Sequence, residues 1–131
     1  MINTVREFPL LLQNRLTDIL FQEASNSRYM YLYYADQYWT AFERSAFQLW
    51  RIYPNTELIP MKLSLSPYPI VVASVREKEL HKVVKGLACK KCSVKERIYV
   101  AQNITNPISY NHWHEEETRG LRTILDQLHL C

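Results

Sequence analysis

Apolar and polar positions along this chain recur with two periods, and each change of period marks an element. From about Leu10 to Glu23, the residues Leu12, Leu16, Ile19 and Leu20 return at helical spacing behind Pro9, which predicts an amphipathic helix. Ser25-Asn26-Ser27 ends it. Tyr29-Met30-Tyr31-Leu32-Tyr33-Tyr34 follows as an aromatic run of high strand propensity, a predicted central strand. A turn at Ala35-Asp36-Gln37 and a short extended piece from Tyr38 to Thr40 lead into the clearest stripe in the sequence. There Ala41, Phe42, Ser45, Ala46, Leu49, Trp50 and Tyr53 share one side of a second helix, which Pro54 terminates.

Beyond Asn55 the period falls to two: Met61, Leu63 and Leu65 alternate with Lys62, Ser64 and Ser66, as in a strand with one wet face. Pro67 and Pro69 bracket a turn, and the β-branched run Ile70 to Val75 predicts a buried strand that pairs back as a hairpin. Glu79 to Lys85 places Leu80, Val83 and Val84 on one helical face, with Gly86 where a C-cap favours a left-handed residue. Leu87 to Cys92 and Arg97 to Ala101 read as a second hairpin around Ser93 to Glu96, and Asn103 to Pro107 breaks the chain. A last helix, about His112 to Leu130, aligns Trp113, Gly120, Leu121, Ile124, Leu125 and Leu128, with Glu115, Glu116 and Glu117 in its first turns, where the helix dipole favours negative charge. The expected fold is a single α+β domain over residues 1–131, a mixed sheet of about five to six strands packed by three to four helices.

The length of 131 residues suits one core, and 47% apolar with 22% charged residues is ordinary globular usage. No run approaches the roughly 20 apolar residues of a membrane span, and the opening residues do not read as a secretory signal. No membrane partner is expected, and the cytoplasm is the expected location. The three cysteines, Cys89, Cys92 and Cys131, fit free thiols better than a disulfide framework. Only two glycines occur, far apart, so a clustered-glycine phosphate cradle is excluded.

The stretch Tyr31-Leu32-Tyr33-Tyr34-Ala35-Asp36-Gln37-Tyr38-Trp39, followed by the helix from Ala41, resembles the N-terminal mismatch-reading domain of the MutS family. In that family an apolar strand runs into a Gly-Asp-Phe-Tyr-Glu turn and then a helix. Asp36 and Tyr38 match, whereas Ala35, Gln37 and Trp39 replace the Gly, Phe and Glu. The resemblance therefore implies a fold, and mismatch reading is not carried over with it.

Charge is unevenly placed along the chain. The whole chain is +3, yet Arg76 to Arg97 alone is +5, from Arg76, Lys78, Lys82, Lys85, Lys90, Lys91, Lys95 and Arg97 against Glu77, Glu79 and Glu96. Gathered on one face, Lys78, Lys82, Lys85, Lys90, Lys91, Lys95 and Arg97 would attract DNA or RNA phosphates. Tyr29, Tyr31, Tyr33, Tyr34, Tyr38 and Trp39, with Arg28 and Arg44, offer rings on which bases stack. The same lysines interleaved with glutamate also describe a plain solvated face, and alternating strand aromatics commonly pack a core.

Cys89-Lys90-Lys91-Cys92 has the spacing with which two thiolates grip zinc, and His112 and His114 would complete four ligands. Against this stand two unrelated thiols in a strand, with no cofactor. His112, His114 and Glu115 to Glu117 are the acid–base candidates, but they form no spaced motif with a nucleophile, so no catalytic residue is assigned. The leading expectation is a non-catalytic binding or accessory domain that contacts nucleic acid through the basic helix–hairpin segment. Its rivals are a protein-interaction or homo-oligomerising domain, suggested by the aromatic excess over residues 29–53, and a small zinc-binding domain.

Overall fold

A computed structural model describes residues 6–64 and 66–129, with side chains as far as Leu121. In chain order it contains α1 (Glu7–Ala24), β1 (Tyr29–Ala35), β2 (Tyr38–Phe42), α2 (Glu43–Ile52), β3 (Glu57–Met61), β4 (Ile70–Val75), α3 (Glu77–Val83), β5 (Cys89–Cys92), β6 (Glu96–Val100) and α4 (Pro107–His129). The fold is α+β: four helices pack on a six-stranded sheet of order β3-β4-β2-β1-β6-β5, and every ladder in it is antiparallel.

The sheet is covered on both faces, and strand alternation decides which side chain goes where. On one face Met30, Leu32, Trp39, Ala41, Val71, Ala73, Val75 and Tyr99 meet Ala46, Phe47 and Leu49 of α2, Leu80 of α3, and Tyr110 and Trp113 of α4. On the other, Tyr33, Phe42, Ile70 and Val72 meet Leu16 and Ile19 of α1. β4 feeds both clusters, so it reads as a continuous apolar run rather than an alternating one. No described helix is long and apolar enough to cross a membrane.

α1 begins three residues earlier than the sequence reading and α3 is shifted two residues toward the N-terminus, and three further boundaries differ for an identifiable reason. Ala41 and Phe42 belong to β2, paired with Ala73 and Val72, and the helix starts at Glu43. β3 lies four residues earlier than the Met61 to Leu65 alternation suggests. Its register is set by β4, Glu57 opposite Ser74 through Met61 opposite Ile70, and Pro60 is tolerated because β3 is an edge strand. α4 starts at Pro107, a proline at the first helical position, where the Asn106 side-chain oxygen accepts the N–H groups of Ile108 at 2.9 Å and Ser109 at 3.2 Å. Glu115 to Glu117 therefore sit more than two turns inside the helix, beyond reach of its terminal dipole. Leu65, Cys131 and the side chains of Ile124, Leu125 and Leu128 lie outside the described residues.

Candidate nucleic-acid interface

α3 buries Leu80 completely among the apolar side chains above the sheet. At about 100° per residue, Lys78 and Lys82 stand two positions either side of Leu80 and so point away from the sheet. Both are exposed, as is Lys85 in the turn before Gly86, whose φ of +88° gives the left-handed C-terminal turn expected there. Lys90 is exposed on β5, with its ammonium 4.3 Å from the centre of the Tyr29 ring. No ion pair with a described carboxylate forms at any of these four lysines.

The other three candidates are committed to the fold. Lys91 lies 3.6 Å from Glu96. Lys95 pairs with Glu7 at the start of α1. Arg97 makes a two-pronged contact with Glu77, at 3.0 and 2.8 Å, while its guanidinium lies 4.3 Å from the Trp39 ring centre. That contact holds the Glu77 carboxyl below its ordinary pKa, chiefly by hydrogen bonding. The seven residues thus divide into four lysines free of carboxylates and three cations joined to glutamates.

The aromatic residues do not form an open stacking platform. Tyr33 and Trp39 are buried in the two separate clusters. Arg15 lies over Tyr33, Arg76 over Tyr38, Lys90 over Tyr29 and Lys95 over Tyr34, so these rings already carry protein cations. The alternation of β1 is a core-and-flank pattern. Nor do the zinc candidates converge: Cys89 and Cys92 are on β5 at one sheet edge, whereas α4, bearing His112 and His114, packs on β3 and β4 at the other. Among the described residues no group of three metal-ligating side chains occurs.

One polar cluster escaped the sequence reading because its members are distant in the chain. Glu23, 2% exposed at the end of α1, accepts the backbone N–H of Ser45 at 2.8 Å and the Ser45 hydroxyl at 2.5 Å, with Asn26 beside it at 3.4 Å. Burial pushes its pKa up to about 7 against the opposing pull of those hydrogen bonds. Nearby, Glu43 accepts the Val71 N–H at 2.8 Å and meets His114 Nε2 at 2.9 Å. Glu43 has φ +51°, a left-handed conformation that costs a non-glycine residue roughly 1–2 kcal/mol and that these contacts hold in place. Ser45 is wholly buried, so no substrate reaches its hydroxyl; the cluster fastens α1, α2, β4 and α4 together. A buried Glu before the polar Ser-Asn-Ser stretch was the available signal, weak because glutamate is so often a surface residue.

A further feature is an open cleft of about 560 Å³ between α2 and α4, walled by Phe47, Trp50 and Trp113 and rimmed by Ile104, Arg51 and Glu116. Ile104 and, close by, Ile108 at the start of α4 are exposed, Ile108 by 80%. Compared with protein-family models, curated proteins and solved structures, this chain matches none.

Proposed function

We propose that this chain is a non-catalytic binding or accessory domain that contacts nucleic acid through exposed lysines of α3, of the turn after it and of the edge strand β5, where Lys90 stands over Tyr29 on the α1 side of the sheet. The observation that carries this reading is the set Lys78, Lys82, Lys85 and Lys90, four exposed ammonium groups without a carboxylate partner among the described residues. Unpaired surface ammonium groups can displace counterions from phosphates, whereas Lys91, Lys95 and Arg97 would first have to leave Glu96, Glu7 and Glu77. A MutS-like fold belongs to the same proposal, on the strength of the Tyr31 to Trp39 stretch.

The footprint is testable by its salt dependence. Four phosphate contacts give a slope of log K against log salt between about −3 and −4 on duplex DNA, seven give about −6, and the smaller footprint loses roughly 10²-fold in affinity from 50 to 200 mM salt. The Lys78→Gln/Lys82→Gln double variant should lower the slope by about 2. Undetectable binding of single- and double-stranded oligonucleotides at 50 mM salt, or a slope indifferent to that variant, would remove the proposal.

A second reading, a protein-contact or self-association surface, is favoured by the aromatic cleft with exposed Ile104 and Ile108 beside it. Light scattering that returns a strict monomer at high concentration counts against its homo-oligomeric form.

A further inference from the structure

In a regular strand, residues three apart point to opposite faces of the sheet. β5 is not regular. Cys89 stands opposite Tyr99, Lys91 opposite Ile98 and Cys92 opposite Arg97, so Lys90 is the extra residue of a bulge. Cross-strand partners share a face, and Tyr99 and Arg97 are two apart on β6. The bulge therefore turns Cys89 and Cys92 to the same face, about one strand dipeptide apart. That spacing, roughly 6.5–7 Å between Cα atoms, meets the upper end of the disulfide range of about 4.4–6.8 Å.

Both thiols are free and exposed, and β5 is an edge strand with no neighbour on its far side. The Cys89 thiol donates to the Lys91 carbonyl at 3.1 Å, across the bulge toward Cys92. Its pKa is raised first by burial and then by the adjacent Cys92 sulfur, an electrostatic sign that the two groups are close.

We propose that Cys89 and Cys92 form a reversible dithiol site, which closes to an intrachain disulfide by exchange with a low-molecular-weight disulfide. The Cys92 thiolate attacks one sulfur of that disulfide; its S–S bond breaks and one thiolate leaves, giving a mixed disulfide on Cys92. Capping removes the neighbouring charge that disfavours ionisation of Cys89. The Cys89 thiolate then attacks Cys92 Sγ and expels the second small thiolate. The protein loses two protons and two electrons, and the small disulfide takes them up as two thiols. This site does not depend on the nucleic-acid reading, because it needs only the bulge and two accessible sulfurs.

The test uses the unmodified full chain. Reduced protein is incubated with oxidised glutathione, alkylated without reduction and digested with trypsin. Cleavage after Lys90 and Lys91 puts Cys89 in the peptide Gly86 to Lys90 and Cys92 in Cys92 to Lys95, so a disulfide between them appears as a linked pair. The expected result is that pair, from monomeric protein, abolished by dithiothreitol, together with a stable single glutathione adduct on Cys92 in Cys89→Ser. Separate alkylated peptides, persistent glutathione on the native chain, linkage to the peptide bearing Cys131, or an unmodified Cys92 in Cys89→Ser would each overturn the proposal.

Discussion

Asp36 and Glu7 cap each other across 29 positions of sequence. The Asp36 carboxylate accepts the backbone N–H groups of Glu7 at 2.8 Å and Phe8 at 3.0 Å, while Glu7 Oε1 accepts the Asp36 N–H at 3.0 Å. Arg6, at the N-cap position of α1, supplies no side-chain cap of its own. The turn between β1 and β2 thus satisfies orphan donors that a helix ordinarily satisfies locally, in the reciprocal manner of a capping box.

Asp36→Ala removes both acceptors and should destabilise the protein by about 1 kcal/mol in urea unfolding, the usual cost of a lost cap. The same hydrogen bonds, from Phe8 and then Glu7, hold the Asp36 pKa below its ordinary value of 3.8. A carboxyl with a lowered folded pKa contributes stability above its unfolded pKa, lost as pH falls through the folded one. Wild type should therefore lose its advantage over Asp36→Ala below about pH 4; an undiminished difference at pH 2–3 would mean the cap acts without charge.

The turn itself invites a stabilising change. Asp36 and Gln37 have φ +51° and +72° between the paired residues Ala35 and Tyr38, the two-residue hairpin geometry that favours glycine at its second position. Relief of roughly 1–2 kcal/mol of left-handed strain outweighs the roughly 0.5–1 kcal/mol of extra unfolded-state entropy, so Gln37→Gly should raise the thermal midpoint. An unchanged or lower midpoint would show that the turn carries no such strain.

This turn also shows where sequence reading reaches and where it stops. Local signals suffice for the turn, for the α2 stripe from Ser45 onward and for the β4 run, whereas Ala41 and Phe42, which carry the same apolar spacing, are claimed by their pairing with β4. The place of β3 is not local, because its register is set by β4, and the start of α4 is hidden because Asn106-Pro107 has the composition of a break and acts as a cap and first turn. The basic segment is legible as a charge excess. Its division is not, since Glu7 lies far from Lys95 in the chain and the Glu77–Arg97 pairing depends on where α3 docks on the sheet.

Arg97 separates two contributions that its contacts combine. Its ion pair with Glu77 is half in solvent, the side chains being 20% and 53% exposed, and such pairs contribute about 0–1 kcal/mol. Its guanidinium lies over Trp39, a buried ring at the centre of the sheet, which adds about 1–2 kcal/mol. Arg97→Ala should therefore cost more stability than Glu77→Ala. Equal losses in urea unfolding would place the energy in the ion pair instead.

Glu23 sets a pH dependence opposite to that of Asp36. Its folded pKa is raised by burial to about 7 from 4.5, so between those values the folded chain keeps a proton that the unfolded chain has released. Its contribution is full below about pH 4.5 and lost as pH rises through about 7, a difference on the order of 3 kcal/mol. Histidines as a class also titrate in that window, so the diagnostic quantity is the difference between wild type and Glu23→Gln. Glutamine keeps the shape, accepts the Ser45 N–H and never ionises. Wild type should lose stability relative to Glu23→Gln as pH is raised from 5 to 8; parallel pH profiles would show that the carboxylate between α1 and α2 is already charged at pH 5, and that Ser45 and Asn26 solvate it fully.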